Sequence, residues 1–182
     1  MFVRMNAGLA LVPVPAAPAD PGPIAVIHRV FTAPDPGAAL AALAPAERIA
    51  FDAGYVPDHV ELVGVETRPA PRGCEYSRAK KALKAAGGNA LGTYWTEIHW
   101  CYDKKRGWHN TFVTDSGTGG ETHTPGYTYR GNPEFDAGVV GTSRGWAKHW
   151  FEARFLPDSY PCLRVYLTNV FEPGSDDSCS LA

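Results

Sequence analysis

The sequence predicts a mainly β protein: an antiparallel β-sandwich, or a barrel-like sheet, carrying a short N-terminal helical or extended segment. Three observations point there. Short runs that alternate apolar and polar side chains recur between residues 92 and 167, separated by glycine and proline turns. Prolines concentrate before residue 72, where they interrupt every apolar stretch. Four cysteines, Cys74, Cys101, Cys162 and Cys179, are spread across the alternating part without a close Cys-x-x-Cys pair. With 45% apolar and 20% charged residues the composition is that of a globular chain, and 182 residues suffice for one main core.

In chain order, Arg4 precedes an apolar run from Ala7 to Val14, followed by Ala17, Pro18 and Ala19. This reads as a signal peptide with an Ala-x-Ala cleavage site, or else as a Pro/Ala-rich disordered leader, over residues 1–19. Residues 20–72 read as a proline-rich linker with a short helical segment. Pro21, Pro23, Pro34 and Pro36 suggest extended chain. Leu40, Leu43, Ile49 and Phe51 fall at helical spacing around Pro45, which predicts two short helices, the second starting at Pro45 and ending at Gly54. His59 to Val65 reads as a short strand, and Pro69 and Pro71 as a second linker.

The β-sandwich is expected over residues 73–182. Ser77 to Ala86, rich in lysine and alanine, reads as a basic helix stopped by Gly87 and Gly88. Tyr94, Ile98, Trp100 and Tyr102 then fall on one strand face and Glu97, His99, Cys101 and Asp103 on the other. Trp108 to Thr114 is the returning strand, and the turn Asp115-Ser116-Gly117-Thr118-Gly119-Gly120 closes a hairpin with the next strand. Glu121 to Arg130 alternates through Tyr127 and Tyr129. Gly145 to Phe155 places Ala147, Phe151, Ala153 and Phe155 on one face, and Leu163, Val165 and Leu167 form the last inward row before Pro173 and Gly174 end the strand.

The runs Trp100-Cys101-Tyr102-Asp103, Tyr129-Arg130-Gly131 and Tyr160-Pro161-Cys162-Leu163-Arg164-Val165 resemble small exported β-rich proteins of high-GC Gram-positive bacteria. The resemblance covers about Gly92 to Phe171 and departs at the lysine-rich turn after Asp103. It implies a β-sandwich and no activity, and carries over no catalytic residue.

Charge and cysteine usage bound the function. A formal charge of -2 provides no field that would gather nucleic acid, and no apolar run reaches the roughly 20 residues of a membrane-spanning helix. Even-numbered, dispersed cysteines predict two disulfides and an exported or cell-surface protein; the alternative is a cytoplasmic protein with four buried thiols. The pairing and the oligomeric state are not fixed by the sequence.

Candidate chemistry is thin. Glu97 and His99, with His109 on the next strand, form the one metal-ligating set; its incomplete spacing favours no metal and no cofactor. His109, His123 and His149 accompany no nucleophile motif, Ser143 sits in turn-like sequence, and Gly117 to Gly120 lacks the lysine of a phosphate loop. Strand parity instead turns Trp95 away from Tyr94 and Ile98, and Trp146 and Trp150 away from Phe151 and Phe155. Outward rings beside polar side chains suit sugar stacking or partner packing. The expectation is an exported, noncatalytic domain that recognises a cell-envelope glycan or protein through Trp95, Trp146 and Trp150. The alternatives are an extracellular hydrolase or metal-dependent enzyme centred on Glu97, His99 and His109, and a structural envelope component that uses the same rings for packing.

Overall fold

The computed structural model describes residues 22–112 and 117–182; the expected leader, and the ends of the predicted strand and turn at Val113 to Ser116, lie outside them. Among the described residues three α-helices, α1 (Pro23–Thr32), α2 (Pro36–Ala41) and α3 (Pro45–Tyr55), precede nine strands. These are β1 (Pro57–Pro69), β2 (Glu75–Ala85), β3 (Ala90–Asp103), β4 (Gly107–Phe112), β5 (Gly119–Thr122), β6 (Tyr127–Val140), β7 (Thr142–Ala153), β8 (Cys162–Leu167) and β9 (Pro173–Asp176). The strands form two antiparallel sheets that do not close into a barrel: a five-stranded sheet ordered β1-β2-β3-β4 with β5 also on β3, and a four-stranded sheet ordered β6-β7-β8-β9.

Proline punctuates the helices instead of preventing them. Pro23, Pro36 and Pro45 each stand in a first turn, where a missing N–H removes no intrahelical bond. The expected extended chain over residues 20–36 is therefore corrected, because a ten-residue helix fits between Pro23 and Pro34 and buries Val26, Ile27 and Val30. Asp35 caps α2 by accepting from the Ala38 amide at 3.0 Å, and at the start of α3 Glu47 accepts from the Ala44 amide at 3.1 Å. Phe31 and Tyr55 bring the helices onto Tyr127 and Phe155, and Tyr127 donates its hydroxyl to the Tyr55 carbonyl at 2.8 Å.

The boundary expected at residue 73 does not divide the structure. β1 pairs with β2 along its length, from Pro57 opposite Ala85 to Pro69 opposite Glu75, and the helical residues share one core with both sheets. The predicted helix over Ser77 to Ala86 is overturned too. The segment is strand β2, clamped between β1 and β3, with Ser77, Ala79, Lys81, Leu83 and Ala85 turned to the core side. Lysine, alanine and leucine favour helix, but pairing on both edges outweighs an intrinsic preference of a few tenths of a kcal/mol per residue. β4 returns antiparallel along β3, as expected of the returning strand, and forms no hairpin with β5 across the glycine-rich turn. Both lie end to end along the same edge of β3, β4 opposite Ile98 to Asp103 and β5 opposite Gly92 to Trp95. Pro173 and Gly174, read as a stop, belong to β9.

Period-two alternation does identify the inner faces. Tyr94, Ile98, Phe151, Leu163, Val165 and Leu167 are all buried between the sheets. The sheets approach closely where Gly145 faces Ile98: a Cβ there would come within 2.3 Å of the Ile98 Cγ2, so any side chain at 145 would push the layers apart. At the centre His149 is wholly excluded from water, with Nε2 3.0 Å from the Thr96 hydroxyl and Nδ1 3.0 Å from that of Tyr129. Burial without a counter-charge pushes its pKa from 6.5 down to about 3, so the imidazole is neutral.

The cysteines pair as Cys74–Cys101, across β2 and β3, and Cys162–Cys179. The second bond ties the C-terminal residues onto the outer face of the four-stranded sheet. There Arg164 chelates Asp176 at 2.7 and 3.0 Å and donates to the Ser180 and Ala182 carbonyls, and Arg144 donates to the Leu181 carbonyl at 3.0 Å.

Candidate functional site

The outer face of the five-stranded sheet is where polar and aromatic side chains converge. Alternation along β2 and β3, combined with their register, aligns Arg78 with Glu97 and Lys80 with Trp95 on this face. β1 adds Glu66 opposite Arg78 and Gly64 opposite Lys80. The result is an open groove of about 490 Å³ lined by Val63, Gly64, Val65, Glu66, Arg78, Lys80 and Trp95, within the range of small-molecule sites.

One end of the groove is organised by Glu97. Its side chain is completely buried even though it sits on the sheet's outer face, because Arg68 and Arg78 close over it. Arg68 Nη2 reaches Oε1 at 2.8 Å and Arg78 Nε reaches Oε2 at 2.9 Å. Thr118 covers the strand beside it, its hydroxyl accepting from the Glu97 amide at 3.0 Å. The Arg68 guanidinium also lies 4.2 Å over the Tyr76 ring.

The other end is organised by Trp95. Lys80 Nζ sits 5.1 Å from the ring centroid and also bonds Glu121 at 3.3 Å. Gly119, opposite Trp95 on β5, leaves room for the indole, since a Cβ would stand 3.3 Å from it. The Thr93 hydroxyl donates to Glu121 at 2.9 Å and, with Lys80, holds that carboxyl below the usual carboxylate range. Arg68, Arg78 and Lys80 thus oppose Glu66, Glu97 and Glu121, three cations against three carboxylates, so the charges of the groove are balanced once its ion-pair partners are included.

The three tryptophans singled out from the sequence do not share a surface. Trp95 belongs to the groove, whereas Trp146 and Trp150 lie on the outer face of the other sheet, on the far side of the core. Trp146 stands between Asp136 and Arg164 in register, beside the C-terminal strap. Trp150 stacks on Tyr160 with centroids 6.0 Å apart, and Asp158 accepts from both, at 2.8 Å from the indole N–H and 3.4 Å from the phenol.

The set Glu97, His99 and His109 is not assembled. Both Glu97 oxygens are bound by guanidinium groups, and His109 lies opposite Cys101, four strand positions or about 13 Å along β3 from Glu97. His99 packs against Tyr76 at 4.9 Å. His149 is sealed in the core, so it reaches neither groove nor solvent.

Arg78, Lys80 and Glu66 are groove residues that sequence reasoning misses, because it assigns β2 to a helix and cuts β1 short at Val65. The signal is present: Ser77-Arg78-Ala79-Lys80 alternates small with charged residues at period two. No protein-family model, no curated protein and no solved structure matches the chain.

Proposed function

We propose that the chain is an exported, noncatalytic binding module that holds an uncharged stretch of envelope glycan in the groove beside Trp95. The observation that carries this reading is the pairing of an indole with a fixed rim of charged hydrogen-bonding groups beside the apolar Val63, the charges being balanced by ion-pair partners around the groove. Sugar rings present C–H faces that pack on indole and hydroxyls that bond to guanidinium, ammonium and carboxylate groups. The basic run of β2 would favour an anionic polymer if it were free. Instead Lys80 pairs with Glu121, Lys81 with Asp177, Lys84 with Glu61 and Arg78 with Glu97, which supports a neutral ligand.

Binding is favoured over hydrolysis because Glu97, the carboxylate at the head of the groove, has both oxygens committed to ion pairs and is poorly placed to act as acid or nucleophile. Export is supported by the two disulfides, which persist in oxidising compartments; no helix among the described residues is long and apolar enough to cross a membrane.

The test is retention on insoluble cell-wall glycan. Wild-type protein is retained, and Trp95→Ala lowers the affinity about tenfold or more while leaving thermal unfolding near wild type. Trp150→Ala, on the opposite face, retains binding. Wild-type protein that passes through unretained, or a Trp95→Ala protein retained as well as wild type, rejects the proposal.

A further inference from the structure

Away from the groove floor, one cluster of metal-capable donors occurs among the described residues: Cys74, His99 and Cys101, with two Sγ atoms and an imidazole nitrogen all within 4.8 Å of one another. Its geometry follows from the sheet. Glu75 pairs with Trp100, so Cys74 stands directly opposite Cys101, with Cα atoms 4.4 Å apart. His99 precedes Cys101 by two residues and therefore points to the same outer face. Tyr76, paired with His99 and in tilted ring contact with it at 4.9 Å, lies under the Arg68 guanidinium and packs one side of the imidazole. His109 is directly opposite Cys101 on β4 and is exposed.

We infer that reduction of the Cys74–Cys101 bond turns this corner of the sheet into a zinc site, with the two thiolates and His99 as ligands and His109 as the fourth. In the oxidised chain the sulfurs are bonded to each other and offer no thiolate, so the site is gated by redox state. The reductant is a dithiol: its two thiols are oxidised to a disulfide, the Cys74–Cys101 bond breaks, and each sulfur takes up one electron and one proton. Zn²⁺ then displaces the two thiol protons to solvent and accepts lone pairs from neutral imidazoles. Tetrahedral zinc, with bonds of about 2.3 Å to sulfur and 2.0 Å to nitrogen, needs donors roughly 3.3–3.8 Å apart. The imidazole nitrogen therefore has to close on the sulfurs by about 1 Å, while the two sulfurs, about 2 Å apart as a disulfide, separate by a little under 2 Å once reduced, both within the reach of side-chain rotation on fixed strands. The set is thiolate and imidazole without carboxylate, which suits zinc rather than magnesium or calcium. The Cys162–Cys179 pair has no third donor grouped with it among the described residues, and so serves as an internal control.

Anaerobic titration with Co²⁺ of protein reduced by a phosphine tests the inference. The expected result is one equivalent of Co²⁺ bound with thiolate charge-transfer bands in the near ultraviolet and visible bands of tetrahedral intensity. Zn²⁺ displaces it, and the oxidised chain shows neither. His99→Ala weakens metal binding at least about tenfold while its oxidised form keeps the wild-type far-ultraviolet spectrum. Cys162→Ser combined with Cys179→Ser leaves the bands in place. Should reduction unfold the chain, zinc restores the folded spectrum in wild type and fails to do so in His99→Ala. Absence of the bands with the reduced chain folded, failure of zinc to refold an unfolded reduced chain, bands that survive His99→Ala, or bands lost with Cys162 and Cys179 each overturn it. None of these outcomes depends on Trp95 or on glycan binding.

Discussion

The space between the sheets and the outer face of the five-stranded sheet each hold a titratable side chain completely shielded from water, and they accommodate it by opposite means. Between the sheets, His149 has only hydroxyl partners, Thr96 and Tyr129, and loses its charge. On the outer face Glu97 meets two guanidinium groups whose other ends remain in solvent. Desolvating an unpaired ion is too unfavourable for a core, whereas a carboxylate just under the surface can draw counter-charges that keep part of their own hydration. The difference explains why the groove, and not the interior, can present an ordered array of charges to a ligand.

The largest expected effect falls at β7, whose alternate residues belong to core and outer face. Phe151 lies against Tyr94 and Tyr129 with no exposure, so Phe151→Ala should destabilise by about 3–5 kcal/mol in urea unfolding. Trp150→Ala, one residue away on the outer face, should lose no more than about 1 kcal/mol. Equal losses would mean that the outer face is core as well.

Acid separates the two environments next. The unfolded chain protonates His149 below pH 6.5 but the folded chain only near 3. Stability from the neutral imidazole is therefore complete above 6.5 and falls as the pH drops toward 3. Between pH 6.5 and 4 the loss should reach about 3 kcal/mol from this residue alone. Urea unfolding of wild type and His149→Gln across that range isolates it: the variant should have the shallower acid slope, and parallel slopes would show that His149 is not the titrating group.

The smallest effects belong to the Glu97 cluster. Arg78→Ala leaves a buried carboxylate with Arg68 only, and should destabilise by about 1–2 kcal/mol, the half-exposed pairing limiting the loss. Glu97→Gln, whose single amide oxygen still accepts from one arginine and leaves the other to hydrate at its exposed end, should change stability by under about 1 kcal/mol. If urea unfolding finds Glu97→Gln the more damaging of the two, the paired carboxylate is itself a net source of stability, and its role is the reverse of a tolerated buried charge.

Strand alternation is a local property, and whatever depends on it alone was legible in the sequence. Tyr94, Ile98, Phe151, Leu163, Val165 and Leu167 declared the inner faces, and Pro45 declared a helix start. Parity also set Trp95 apart from Tyr94, and Trp150 apart from Phe151, without reference to any neighbour. What parity cannot state is which sheet a strand joins. That choice put Trp95 on one side of the molecule and Trp146 and Trp150 on the other. It turned the lysine-rich Ser77 to Ala86 segment into a strand, set β5 against β3, and paired Cys74 with Cys101 and Cys162 with Cys179. It also buried Glu97, which alternation alone assigns to solvent, under side chains from β1 and β2 and residue 118. The period and the face of each residue were thus written into the chain, since they follow from backbone geometry one strand at a time. Partners, burial and charge were settled only by folding, because they depend on contacts between segments tens of residues apart.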